Sequence, residues 1–187
     1  GMTGLVAMVG TVEAQVLTQI GVTDLRNRYG ASLPEGTGIV GWLTEAGFEQ
    51  TIDSTVYEIF WPNLTTPSLN TGRTITTYGP MPPSPASYWS DHAGGVAGAW
   101  YAGPTAGVSP DLSSISLMSA NGFVGGAALR TGEATAPVVD ASLPMPSVVN
   151  ASWAGSYPSS AENADVLRRI DYLVDRDGVT VVVAAGN

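Results

Sequence analysis

ENADVLRRIDYLVDRDG, residues 162–178, runs directly into VTVVVAA, residues 179–185. In the first stretch Val166, Ile170, Leu173 and Val174 recur at helical spacing, Ser159 and Glu162 stand as a capping box, and Gly178 supplies a stop. The second stretch is β-branched without polar alternation, the pattern of a strand covered on both faces. Leaving the ladder groups of such a strand unpaired would expose a sticky edge, so a further element is expected beside it. A helix delivered straight into a buried strand is the unit of an α/β domain around a mainly parallel sheet flanked by helices.

The rest of the chain extends this pattern. GIVGWL (38–43), SSISLM (113–118) and SVVNAS (147–152) read as strands, and GGVAGAWYAG (94–103) as a small-residue helix packed close to its neighbours. VEAQVLTQIGVTDLRNRYG (12–30) spaces Val12, Val16, Leu17 and Ile20 as a helix that Gly30 ends. Residues 1–35 therefore form a helical lead-in packed on a domain of residues 36–187. Residues 49–90 carry Tyr57, Phe60, Trp61, Tyr78, Tyr88 and Trp89, a Pro-rich part and no sustained period, which predicts a surface excursion with one short hairpin.

Composition narrows the function. The chain has 187 residues with 16 acidic against 7 basic side chains, all seven of them Arg, for a formal charge of −9. Nucleic acid and anionic membranes both require a basic patch, so neither is expected as a partner. The absence of Cys removes disulfides, thiolate metal sites and a Cys nucleophile. No apolar run approaches the ~20 residues of a membrane span, and the start, GMTGLVAMVG, lacks the basic segment of a signal peptide. Gly1 ahead of Met2 reads as a cloning remnant, with any native leader removed.

Several motifs carry little. GTGIVG (36–41) matches the glycine spacing of a dinucleotide site, but it follows a turn and becomes a strand, whereas that fingerprint must open a helix. With one His and scattered carboxylates no metal or other cofactor is expected; a structural Ca²⁺ would leave no signature and none is indicated. The sequons Asn63-Leu64-Thr65 and Asn150-Ala151-Ser152 mean little without a eukaryotic secretory context.

His92 is the only histidine and heads a run of Gly, Ala and Val. It is the one side chain that titrates near neutral pH in its unperturbed state, and its neighbours give it a context. GTGIVGWLTEAGF (36–48), DHAGGVAGAWYAG (91–103), TAGVSPDLSSISLMSA (105–120), VVNASWAG (148–155) and GVTVVVAAGN (178–187) follow one another in an order that resembles the subtilisin-like serine peptidases. In that family the corresponding motifs are the V-I-D-T-G strand, H-G-T-H-V-A-G, the G-V-A-P-x-A-x-L strand entry, V-V-N-M-S-L-G and A-A-G-N. The resemblance implies a subtilisin-like α/β fold, incomplete at the C-terminus, and hydrolysis of protein or peptide substrates. It further implies a secreted or cell-envelope protein of bacterial type.

The resemblance makes His92 the general base and Asn187 the side-chain donor to the oxyanion. It places Ser152, Trp153, Ala154 and Gly155 on the strand lining the substrate cleft, with Ala184, Ala185 and Gly186 beside the pocket for the residue before the scissile bond. Three positions depart from the family pattern. Glu45 stands where the family has Asp, one methylene longer, with Asp53 and Asp91 as alternatives, Asp91 also being a candidate helix N-cap. Gly95 replaces a second His outside the triad. The nucleophile motif G-T-S-x-A-x-P does not occur in the 187 residues, and neither Ser109 nor Ser156 has the strand-turn-helix context that presents a nucleophile. The chain is accordingly expected to be the N-terminal portion of a longer peptidase domain, inactive by itself; a noncatalytic subtilisin-like domain that binds peptides or proteins is the alternative.

Overall fold

The computed structural model describes residue 15 and residues 17–103 and 105–184. Its strands are β1 (Val40–Glu45), β2 (Phe48–Ile52), β3 (Thr55–Ile59), β4 (Thr74–Tyr78), β5 (Ser114–Ser119), β6 (Val148–Ala151) and β7 (Thr180–Val183). Its helices include α1 (Val22–Tyr29), α2 (Pro67–Asn70), α3 (Asp91–Tyr101) and α4 (Ser160–Asp177), with short helical turns at Gly30–Ser32, Pro85–Ser87, Ala120–Gly122 and Phe123–Ala127. Five strands form one parallel sheet in the order β4-β5-β1-β6-β7, and β2 and β3 form a separate antiparallel hairpin. The protein is thus an α/β domain built on a mainly parallel sheet. Among the described residues no helix is long and apolar enough to cross a membrane.

β1 is central because both of its faces are buried. Leu43 packs with Ile115 and Leu117 of β5 and with Ala97 and Tyr101 of α3. Trp42, one residue earlier, points the other way and packs with Met118, Val149 and Leu173 of α4. The period of two along a strand thereby divides the core into two layers, one under each helix. The strand starts two residues later than the apolar run suggests, because Gly36 and Gly38 take left-handed conformations at φ +102° and +78° and hold a turn ahead of it. That turn-to-strand context is the one that argued against a nucleotide fingerprint.

Gly94 and Gly95 are not the glycines of α3 that its neighbours approach. A Cβ on Gly94 or Gly95 would meet nothing within 4 Å, whereas one on Gly41 would strike Leu112 Cδ2 at 2.8 Å and Trp100 at 2.9 Å. Strand β1 also gives up a side chain, so that Trp100 can lie against it. The inner face of α3 is small through Ala93, Ala97 and Gly98.

Other expectations require correction. The hairpin predicted within 49–90 is present, but the segment is no mere surface excursion: Ile59, Phe60, Trp61 and Leu69 are core residues, and β4 adds an outer strand to the sheet. TITTY carries too few apolar residues to stand out as a strand; its neighbour β5 organises it. The lead-in helix is interrupted at Gly21 (φ +81°), so α1 begins at Val22, Ile20 is exposed, and no residue of α1 is buried. Val12 and Val16 lie outside the described residues. In α4, Val166, Ile170 and Leu173 face the core while Val174 is exposed; Ser159 and Gly178 cap the two ends as expected.

VTVVVAA is not covered on both faces. β7 is the edge of the sheet, and Val182 and Val183 are 51% and 58% exposed. Among the described residues, then, nothing covers the outer side of β7, where a further element was expected.

The glycine positions give a direct stability test. Gly95→Ala should raise unfolding stability by about 0.5–1 kcal/mol, since it removes helix-interior entropy at no steric cost. Gly41→Ala should lower it by about 1–3 kcal/mol through overpacking. Chemical denaturation of both variants measures the two effects, and equal effects would refute the packing account.

Candidate functional site

In an open parallel sheet the carboxyl ends of adjacent strands whose connections leave in opposite directions frame a crevice. Here the chain leaves β1 for β4 on one side, and leaves β6 through α4 for β7 on the other. Glu45 is the last residue of β1 and is 0% exposed. By strand alternation it shares a face with Leu43, the face that α3 covers.

α3 brings His92 to meet it. Ser90 caps the helix, its hydroxyl accepting from Ala93 N–H at 3.2 Å, so Asp91 and His92 are the first helical residues. Asp91 is therefore not the N-cap; its carboxylate accepts instead from the Trp89 indole at 3.1 Å. Trp61, fully buried, fixes the approach: its indole N–H donates to Tyr88 O at 2.7 Å, and its carbonyl accepts from Ser90 N–H at 2.9 Å.

The outcome is a 2.6 Å contact between His92 Nδ1 and Glu45 Oε2. The His92 side chain is 62% exposed and that of Glu45 is 0% exposed, so a buried carboxylate holds an open imidazole. In the tautomer that places the proton on Nδ1, the ring donates to Glu45 and Nε2 carries the lone pair. Glu45 Oε1 is buried and has no hydrogen-bond partner among the described residues. Burial pushes the Glu45 carboxyl above its usual range, and the hydrogen bond and charge of His92 pull it down without cancelling that rise. Neither alternative acid reaches His92. Asp53 sits with Ser54 in the positive-φ turn between β2 and β3, and Asp91 is engaged by Trp89.

A cleft of about 490 Å³ opens just past Glu45, at Ala46 and Gly47. Trp153, Ala154, Gly155 and Tyr157 line it from the segment after β6, Ala120, Asn121 and Val124 from the segment after β5, and Val166 and Leu167 from α4. Glu58 of the hairpin reaches its rim, accepting from Asn121 Nδ2 at 3.1 Å. Of the four residues expected on the cleft strand, Ser152 differs: its hydroxyl donates to Asn150 Oδ1 at 2.7 Å, and it borders a groove beside α3 together with Val96, Trp100 and Val182. Ala184 is exposed, and its N–H donates to Ala151 O at 3.0 Å. Ala185, Gly186 and Asn187 lie outside the described residues.

Two contributors had no sequence signal of their own. Trp61 was indistinguishable from the other aromatics of its segment, and Thr44 looked like one more strand residue. Among the described residues no group of three or more His, Cys, Asp or Glu could hold a metal ion, and no serine hydroxyl is hydrogen-bonded to His92. No protein-family model matches the chain, and no curated protein matches it.

The raised Glu45 titration fixes a sign. Between the unfolded and the folded pKa the native state holds a proton that the unfolded chain has released, so the stability Glu45 contributes is full at low pH and falls as pH rises. The stability of the wild type relative to Glu45→Gln should therefore decline as pH rises from about 4.3, the ordinary Glu value, through the higher native titration. Denaturation of both proteins across pH 4–8 reads the difference; a flat or rising difference would refute the desolvation account.

Proposed function

We propose that this domain carries the base and the orienting acid of a subtilisin-like serine endopeptidase, with His92 as general base and Glu45 in place of the family aspartate. The single observation that carries the reading is the 2.6 Å bond from exposed His92 to fully buried Glu45 at the carboxyl end of the central strand. The extra methylene of Glu is accommodated, since the carboxylate meets Nδ1 at hydrogen-bonding distance.

In this mechanism Nε2 accepts the proton of a serine hydroxyl as its oxygen attacks a peptide carbonyl, then returns that proton to the leaving amine. Glu45 keeps the proton on Nδ1, and its buried carboxylate offsets the charge of the imidazolium. Asn187 would donate to the carbonyl oxygen as it becomes negative, and that role comes from the resemblance alone. The family's serine stretch G-T-S-x-A-x-P does not occur in residues 1–187, and the reading requires a serine from outside them. The cleft bounded by Trp153, Ala154 and Gly155 supports side-chain recognition, in a protein that the resemblance places outside the cytoplasm.

A noncatalytic, peptide-binding domain is the competing reading, favoured by the lack of any described serine bonded to His92. A fluorophosphonate probe applied to the intact polypeptide separates the two. Covalent labelling that falls about 10²–10⁴-fold in His92→Ala, the usual worth of a general base, is the expected result. Peptide binding without labelling would establish the noncatalytic reading and overturn the peptidase.

A further inference from the structure

Thr44 and Glu45 are the last two residues of β1, and strand alternation sends them to opposite faces. Glu45 takes the face of α3 and holds His92. Thr44 takes the face of Trp42, where its hydroxyl donates to Asn150 O at 2.9 Å and accepts from the Trp153 indole N–H, also at 2.9 Å. Thr44 is fully buried, and Trp153 is the largest side chain lining the cleft.

The chemistry of this chain of bonds admits few side chains. An indole N–H can only donate and a backbone carbonyl can only accept, so the group between them must do both. A hydroxyl does; a methyl does neither. Asn150 O is fixed by the sheet, since Leu43 and Thr44 of β1 register against Asn150 and Ala151 of β6. The hydroxyl thus transmits the position of a rigid strand to the aromatic wall of an open cleft, whose facing surface at Ala46, Gly47 and Ala120 is small.

We infer that Thr44 is a positioning residue for substrate selection: it locks the Trp153 ring as the wall against which a bulky side chain of a bound peptide packs. The inference rests on the peptide-binding reading of the cleft. It makes the end of β1 a double fixture, with one residue orienting the proposed base and its neighbour orienting the recognition wall.

The test compares two probe peptides, acetyl-Phe-Ala-Ala-Phe-amide and acetyl-tetraalanine-amide, by titration calorimetry against the intact polypeptide. Wild type should prefer the Phe peptide. Thr44→Val should cut that preference about tenfold, the scale of one net hydrogen bond, and should speed solvent exchange of the Trp153 indole proton in NMR spectra. Thr44→Ser, which restores the hydroxyl, should return both readouts to wild type; a merely structural role would not follow the hydroxyl in this way. Should Thr44→Val fail to fold, Trp153→Phe keeps an aromatic ring, removes the donor and should lose the preference to the same extent. An unchanged preference in these variants would overturn the inference while leaving the peptide cleft in place. If neither peptide binds wild type, the inference and the peptide-cleft reading fall together.

Discussion

A carboxylate with no exposed surface must find compensation, and Glu45 finds it in one hydrogen bond to His92. That bond constrains the molecule on both sides. The acid can be buried only because β1 is flanked by β5 and β6, which place Ser119 opposite Glu45 and Ala151 opposite Thr44. The base can reach it only because α3 starts where it does, and that start is fixed by Ser90 at the cap and by Trp61 holding the chain on either side of Tyr88 and Ser90. Among the described residues Glu45 Oε1 has no hydrogen-bond partner, which costs stability, and burial raises the titration of the carboxyl. Proteins commonly carry such strain at the places where they work.

The scarcity of basic side chains has its own logic. Much of the arginine complement is committed to main-chain carbonyls that no secondary structure satisfies. Arg73 donates to Leu112 O at 3.1 Å and Pro110 O at 2.7 Å and also binds Tyr101 O at the carboxyl end of α3, tying the helix that carries His92 to the segment entering β5. Arg169, 8% exposed, donates to Leu129 O at 2.8 Å and to Glu133 O and Thr135 O, and meets Asp165 at 2.8 Å. It fastens the segment after β5 to α4, two of the elements that line the cleft. A fork of fixed donors suits this task better than a single ammonium, and the chain contains no Lys. Arg73 and Arg169 thus act inside the fold, on carbonyls of the main chain, whereas Arg28 and Arg168 are exposed.

Much of the fold was legible because apolar periodicity records burial. α4, its two caps, β5 and β6 followed from their patterns, as did the turn at Gly36 and Gly38. The errors have physical causes. The pattern of β7 reports affinity for a sheet, and the described residues cover it only in part, leaving Val182 and Val183 exposed. β4 is held by its ladder to β5, a long-range contact invisible in TITTY itself. The small-residue run of α3 suggested close packing; Gly94 and Gly95 have open space, Ala93, Ala97 and Gly98 form the buried face, and a further close approach is made at Gly41 by Trp100.

His92 and Glu45 could be named as partners from motif order, and Trp153, Ala154 and Gly155 could be placed together on one segment. What the sequence by itself determined is the kind of domain and the residue types able to do acid–base chemistry, since periodicity and side-chain chemistry are local properties. What only the tertiary structure decided is that Glu45, rather than Asp53 or Asp91, meets the imidazole, that Ser152 turns away from the cleft, and that Thr44 anchors Trp153. Those outcomes depend on which face a strand residue occupies and which strands lie beside it, and the pairing that fixes both is made by residues more than a hundred positions apart, such as Thr44 and Ala151.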